Sequence, residues 1–416
     1  AAPVGNPFRP SGFPSSPTPP SMRSTTLAAA AALLLAAAAP LSGTAQDVPL
    51  AIDVPLPAGV TYDPAIPTPQ EVLGHVVGEK HTMPHEVVRY FEAVAAASDR
   101  VVLGEHGRTH EGRMLLHAFV STPATLARLE DVREANLLLS DAPDEVSDAE
   151  LAEMPAVAYM GYSIHGNEAS GTEASLLTLY HLAAGQGEAV ESVLENAVVI
   201  VNPMFNPDGR DRFTDWANRN RGEVASSDPQ GREQNEPWPG GRTNHYWFDL
   251  NRDWLPLVHP ESQGRVALYH RWRPQVLTDY HEMGSDDTYF FMPGIQTRVN
   301  PETPARNQEL TAEIAEYHAE YLDGIRALYY SEEGYDDFYV GKGSTFPDVQ
   351  GTVGILFEQA SSRALERETV NGVLTYPYTI RNQFLASLST LNAVVDLRED
   401  LLRYQRDFYA GASEAA

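Results

Sequence analysis

The sequence predicts an α/β fold, and two observations carry that prediction. Apolar, strand-like runs alternate with helical segments, which is the pattern of a sheet covered by helices. The runs include Ala156-Val-Ala-Tyr-Met160, Ala197-Val-Val-Ile-Val201, Gln275-Val-Leu-Thr278 and Thr352-Val-Gly-Ile-Leu-Phe357. Polar clusters follow these runs closely, and in α/β sheets sites gather at strand ends. With 416 residues, 43% hydrophobic and 21% charged, the chain is long enough for one large domain with appendages, or for two domains.

The elements run as follows. Residues 1–21 are rich in Pro, Ser and Gly without periodicity, and are expected to be an upstream, disordered segment. Met22-Arg-Ser-Thr-Thr, the Ala/Leu run from Leu27 and the small residues at Gly43-Thr-Ala45 have the order of a signal peptide. This predicts export, secreted or periplasmic, with residues 22–45 removed. The run is too short for a comfortable membrane span, so no stable membrane anchor is expected. Residues 46–74 are proline-rich and read as a linker or wrapping arm; residues 75–410 read as the main domain. Pro84-His-Glu-Val-Val-Arg-Tyr-Phe starts an amphipathic helix. Residues 101–107 and 114–120 read as strands joined by the turn 108–113, and residues 125–138 as a helix followed by an acidic, turn-rich stretch. Further helices are expected over 311–330 and from Tyr378 continuously through Phe408. Residues 411–416 are expected to be a tail at the end of a fragment.

Composition excludes several functions. The net charge of −28 argues against a nucleic-acid partner. The absence of cysteine removes disulfides, thiolate metal sites and a cysteine nucleophile. Lys80 and Lys342 are the only lysines, so cationic recognition falls to arginine, the better partner for carboxylates.

The chemistry centres on His165-Gly-Asn-Glu168, placed between a strand and a helix. A bend there lets an imidazole and a carboxylate three apart converge on one point. Such a pair suits Zn²⁺, which takes His nitrogen and carboxylate oxygen. Downstream come Asn206-Pro-Asp-Gly209, Asp249-Leu-Asn-Arg252, His281 and Phe357-Glu358. The histidines from His75 to His117, His110 among them, have no ligand spacing and read as surface or packing residues; His245 and His259 flank Asp249–Trp254 and read as surface residues, with a supporting place behind the metal ligands as the alternative. Glu282 should face away from His281, because neighbours on a strand point to opposite faces.

In that order these motifs resemble the zinc carboxypeptidase family of the carboxypeptidase A type, with similarity running from about His81 to Arg406. The resemblance implies a single large domain with a central mixed β-sheet flanked by helices, and one Zn²⁺ per chain. It implies His165, Glu168 and His281 as metal ligands and Asp249 as the carboxylate that orients a ligand histidine. It implies Asn251 and Arg252 as the grip on a substrate's terminal carboxylate, with Tyr339, or second Tyr335, covering the substrate. Arg221 is implied to stabilise the developing oxyanion, and Glu358 to act as general base. The expected activity is zinc-dependent hydrolysis of peptide bonds, releasing C-terminal residues from peptides or proteins with a free C-terminus. The alternatives are a zinc amidase or endopeptidase on the same fold, acting on cell-wall peptides or acyl-amino acids, and a non-catalytic peptide- or glycan-binding module. A binding module would show a missing ligand or base, and the sequence lacks neither.

Overall fold

Every residue of Ala156–Tyr162 is buried, because both faces of this strand are covered. Ala156, Ala158, Met160 and Tyr162 pack into one apolar core, Val157 and Tyr159 into another. The period of two thus turns one apolar run into the wall between two cores. The structure, a computed structural model, describes residues 59–415 together with Ile52, Val54 and Leu56. The expectations for residues 1–21 and 22–45 lie outside the described residues.

In chain order the main sheet contains β1 (Val101–Arg108), β2 (Met114–Val120), β3 (Ala156–Tyr162), β4 (Ala197–Asn202), β5 (Val276–Met283), β6 (Tyr289–Phe291) and β7 (Val353–Ala360). Their spatial order is β1-β2-β4-β3-β5-β7-β6. The four central strands are parallel, and antiparallel pairs flank them, so the sheet is mixed.

The principal helices are α1 (Pro84–Ala97), α2 (Leu129–Asp141), α3 (Ser170–Ala184), α4 (Glu188–Asn196), α5 (Pro207–Asn220), α6 (Pro260–Trp272), α7 (Ala305–Gly324), α8 (Tyr376–Asp396) and α9 (Arg398–Ala415). Side chains of α1, α3, α7 and α8 fill the larger core; those of α2 and α6 fill the smaller one. Helix α3 is buried on all sides. Stacked Tyr162 and Tyr280, 4.3 Å apart, tie β3 to β5, and their hydroxyls both meet Ser387 Oγ of α8 at 2.8 and 2.9 Å.

Boundaries differ from expectation in several places. The helix expected over 125–138 divides into Pro123–Leu126 and α2, because Arg128 leaves helical geometry at φ −121°. The turn-rich stretch after it includes a short helix, Asp148–Leu151, held by reciprocal bonds between Ser147 and Glu150. The helix expected over 311–330 starts and ends earlier as α7, and Arg326 beyond it is left-handed at φ 56°. The long C-terminal helix breaks at Leu397 into α8 and α9. In the stretch read as an arm, Thr61–Tyr62 pairs with Gly185–Gln186, and Thr68 caps a short helix, Pro69–Leu73.

Candidate metal centre

The parallel strands deliver the chemistry on one side of the sheet. After β3 the chain bends at Ser163, whose φ of 51° is left-handed, a costly conformation for a residue with a side chain. The Ser163 hydroxyl donates to the Glu168 carbonyl at 3.0 Å, and the Glu168 N–H donates to the His165 carbonyl at 3.1 Å. This closed turn brings His165 and Glu168 to one point. Gly166 within it is required by space: a Cβ there would lie 2.0 Å from the Arg210 backbone nitrogen. Helix α5 can therefore begin directly against the turn, with Asn206 as its cap, accepting from the Gly209 N–H at 2.9 Å.

His165 Nδ1 lies 2.8 Å from Glu168 Oε1, and His281 Nδ1 lies 2.8 Å from Glu168 Oε2. The two Nδ1 atoms are 3.1 Å apart, and all three side chains are buried. The outer nitrogens have carboxylate partners: His165 Nε2 is 2.8 Å from Asp249 Oδ1, and His281 Nε2 is 2.9 Å from Asp279 Oδ2. With each Nε2–H donated outward, both Nδ1 lone pairs turn inward against a carboxylate. That arrangement is repulsive unless positive charge sits among the three atoms. Two imidazole nitrogens and a carboxylate oxygen, each imidazole backed by a carboxylate, are the donor set of a catalytic zinc.

The electrostatics make the same demand. Burial alone would lower the pKa of His165, but Glu168 and Asp249 outweigh it and raise it. His281 is raised well above the ordinary imidazole value, Asp279 and Glu168 overcoming burial. Burial would raise Glu168, yet the two imidazoles hold it well below the usual carboxylate range.

Glu358 on β7 stands opposite His281 in the parallel register with β5. Both strands run two residues beyond these side chains, so neither is terminal as the sequence suggested. Burial pushes the Glu358 pKa up to about 8, with His281 opposing and Glu168 adding to the rise. Glu282 points elsewhere: its carboxylate accepts from the Ser170 N–H at 2.9 Å and from the Ser361 hydroxyl at 2.5 Å. A cleft of about 520 Å³ contains the trio and Glu358, and Arg242, Arg252, Tyr335 and Tyr339 share its walls.

Residues 87–346 match the sequence profile described as zinc carboxypeptidase. The chain belongs to the zinc carboxypeptidase family. Probable carboxypeptidase 2 of Trichophyton verrucosum is 29% identical over 126 residues, 30% of this chain and 19% of the relative. Carboxypeptidase 2 of Trichophyton rubrum is 29% identical over 119 residues, 29% of this chain and 17% of the relative. The match thus spans under a fifth of either relative. Among solved structures, the carboxypeptidase A from Helicoverpa armigera has a TM-score of 0.52 at 16% identity, covering 80% of each chain. Thrombin activatable fibrinolysis inhibitor has a TM-score of 0.53 at 14% identity, covering 78% of this chain and 79% of its own. At those identities the likeness is one of fold, a central mixed sheet flanked by helices. The family's metal is zinc, and the His165–Glu168–His281 trio is the set of side chains in the cleft able to hold it.

Two of the expected site residues are placed differently from what their implied roles would need. Arg221 is exposed at the end of α5 and does not line the cleft, because α5 runs away from the trio after its capped start. The arginine beside the trio is Arg242, whose Nη1 is 3.0 Å from Glu168 Oε1 and Nη2 3.1 Å from Asp249 Oδ2. Its signal was available: Gly241-Arg-Thr-Asn244 lies just upstream of Asp249. Asn251 lines the cleft, but its side chain is already engaged. Its Oδ1 accepts from Trp254 Nε1 at 3.1 Å and from the Gly343 N–H at 2.7 Å, while Nδ2 lies 3.0 Å from His281 Nε2 and 3.3 Å from Asp279 Oδ2. Arg252 is exposed, and among the described residues it has no carboxylate within ion-pair distance. Asp279 was missed altogether; its signal is its place two residues before His281, on the same strand face. Tyr335 is half-buried against Phe290 and donates to Met283 Sδ at 3.4 Å, whereas Tyr339 is exposed.

Proposed function

We propose that the chain is a zinc metallocarboxypeptidase that releases C-terminal residues from peptides, with Glu358 as its general base. The observation that carries this reading is the placement of Glu358 opposite His281, in the cleft where His165, Glu168 and His281 converge. Zinc held by the trio would act as a Lewis acid and lower the pKa of water to roughly 7. Asp249 and Asp279 keep the ligand histidines in the tautomer that faces Nδ1 inward. Glu358, half-buried in the same cleft, can take a proton from water and return it to the leaving amine. Arg242 offers a guanidinium where negative charge develops on the scissile carbonyl. Its present contacts with Glu168 and Asp249 compensate carboxylates that the metal would otherwise neutralise.

Arg252 supports release from a free C-terminus. An unpaired guanidinium on the rim of a cleft in so acidic a chain is suited to an external carboxylate, which it can bind through two parallel hydrogen bonds. Tyr339, exposed in the same cleft, is the tyrosine proposed to cover bound peptide, with the half-buried Tyr335 second. We also propose that the protein is exported, on the residue order of 22–45; among the described residues no helix is long and apolar enough to cross a membrane.

Chelation followed by reconstitution tests the reading. Peptide hydrolysis should vanish when metal is removed and return with about one equivalent of Zn²⁺. Activity that persists in thoroughly chelated protein would count against it.

A further inference from the structure

Ligand-type side chains converge at a second place, just after the Asp249–Trp254 segment in the chain. His259 precedes α6 as its cap, Pro260 occupies the first helical position, and Glu261 falls in the first turn. The Asp253 carboxylate fixes this approach by accepting from the Val258 and His259 N–H groups, both at 2.9 Å. His110 comes from the tight turn between β1 and β2, where the Gly112 N–H bonds the Thr109 carbonyl at 2.9 Å. The His110 N–H reaches across to Glu261 Oε1 at 3.2 Å, which locks the turn to the helix.

The side chains then meet. His110 Nε2 is 3.0 Å from His259 Nδ1 and 3.9 Å from Glu261 Oε2. Two nitrogens bound to one tetrahedral zinc at roughly 2.0–2.1 Å would lie about 3.4 Å apart, close to this spacing. Glu261 is 1% exposed, and its Oε2 has no hydrogen-bond partner. Among the described residues, His110 is the only basic side chain within ion-pair distance of it. Arg265, one turn further along α6, is buried nearby, but its Nη2 bonds the Leu250 carbonyl and the Ser262 hydroxyl, both at 3.3 Å, and it forms no ion pair with Glu261. Two neutral imidazoles can share one N–H···N bond, but that bond leaves the buried Glu261 oxygen unserved. A single cation would satisfy all three atoms. The rings of Tyr246, 4.7 Å from His110, and Phe248, 4.7 Å from His259, wall the position, while His110 itself reaches solvent and offers a way in.

We propose that His110, His259 and Glu261 form a second divalent-metal site, distinct from the catalytic trio and structural in role. Two imidazoles with one carboxylate select zinc or its transition-metal neighbours over Mg²⁺ and Ca²⁺, which take oxygen ligands. To bind a metal, both facing nitrogens must present lone pairs, so each ring would carry its proton on the far nitrogen. The metal would fasten the β1–β2 turn to the start of α6. That start leads directly from the segment carrying Asp249 and Asn251.

Metal analysis after saturation with Zn²⁺ and removal of loosely held ions tests this, with calorimetric titration to resolve the second binding event. The intact protein should hold two equivalents, and Mg²⁺ should give no event. His110→Ala should hold one, lose the second event and keep both its cleft zinc and its peptide hydrolysis. Glu261→Gln, which preserves shape, should weaken the second event at least tenfold and guards against a folding defect in the first variant. A saturated total of one in the intact protein would overturn the proposal, as it would leave only a hydrogen-bonded histidine pair. Two equivalents retained in both variants would overturn it equally.

Discussion

Glu358 and His281 face each other across two adjacent parallel strands, β7 and β5, in direct Cα register. One turn-borne ligand pair and one strand-borne histidine therefore meet a carboxylate whose position is set by the sheet itself rather than by a loop. Glu358 lies beyond residues 87–346, the stretch matched to the family, so its assignment rests on this register and on the cleft. Exchange of Glu358 for Gln keeps the shape and removes the proton acceptor. Glu358→Gln should lose about 10²–10⁴-fold in kcat while retaining its zinc, measured by steady-state kinetics alongside metal analysis.

Asp279 should prove as consequential for the metal as Asp249. Each carboxylate holds the outer nitrogen of one ligand histidine, at 2.9 and 2.8 Å. Asp279→Asn can no longer orient His281 as an anionic acceptor, and zinc affinity should fall by about 10–100-fold, as for other carboxylates behind ligand histidines. Competition against a chromogenic chelator measures this; unchanged affinity would remove Asp279 from the site.

The two arginines considered for the oxyanion can be separated kinetically. Arg242→Ala should lower kcat by about 10²–10³-fold, since its guanidinium sits at Glu168 and Asp249. Arg221→Ala, at an exposed helix end, should leave kcat and KM within a factor of two or so, as expected of a surface substitution. The reverse pattern would restore the expectation drawn from sequence.

Stability should fall in mild acid for a reason remote from the cleft. His181 is buried beneath Tyr62 and Phe384, and burial pushes its pKa down to about 4. An unfolded chain would protonate this residue near 6.5, the folded chain only near 4. The stabilisation is therefore complete above about pH 6.5 and is lost as pH falls toward 4, amounting to roughly 3 kcal/mol at most. His117, also lowered to about 4 by burial and by Arg271, acts in the same direction. Urea unfolding at pH 7 and pH 4.5 should show a smaller loss for His181→Gln than for the unaltered protein.

Much of this was legible in the sequence because the central strands are continuous apolar runs, and such runs occur where helices cover both faces of a sheet. The candidate ligand trio was legible because His165-Gly-Asn-Glu168 is local and His281 follows a recognisable strand-like run. What the sequence hid depends on distance through space. Arg242 reaches Glu168 because the 241–249 loop folds back over the turn at Gly166, next to the Gly241 carbonyl. Asn251 is recruited by Trp254 and by Gly343, ninety-two positions away. His259 read as a surface residue because its partner, His110, lies 149 positions upstream on another element.

A cleft that releases residues from a free C-terminus needs a group that reads the terminal carboxylate, and Arg252 is the proposed reader. Mass spectrometry of products from matched peptides, free and amidated at the C-terminus, tests it most directly. The free peptides should lose single residues stepwise from the C-terminal end, and amidated peptides should be poor substrates. Arg252→Ala should raise KM strongly for the free peptides and so narrow the difference. Internal cleavage of both sets at similar rates would contradict the account and make the chain an endopeptidase.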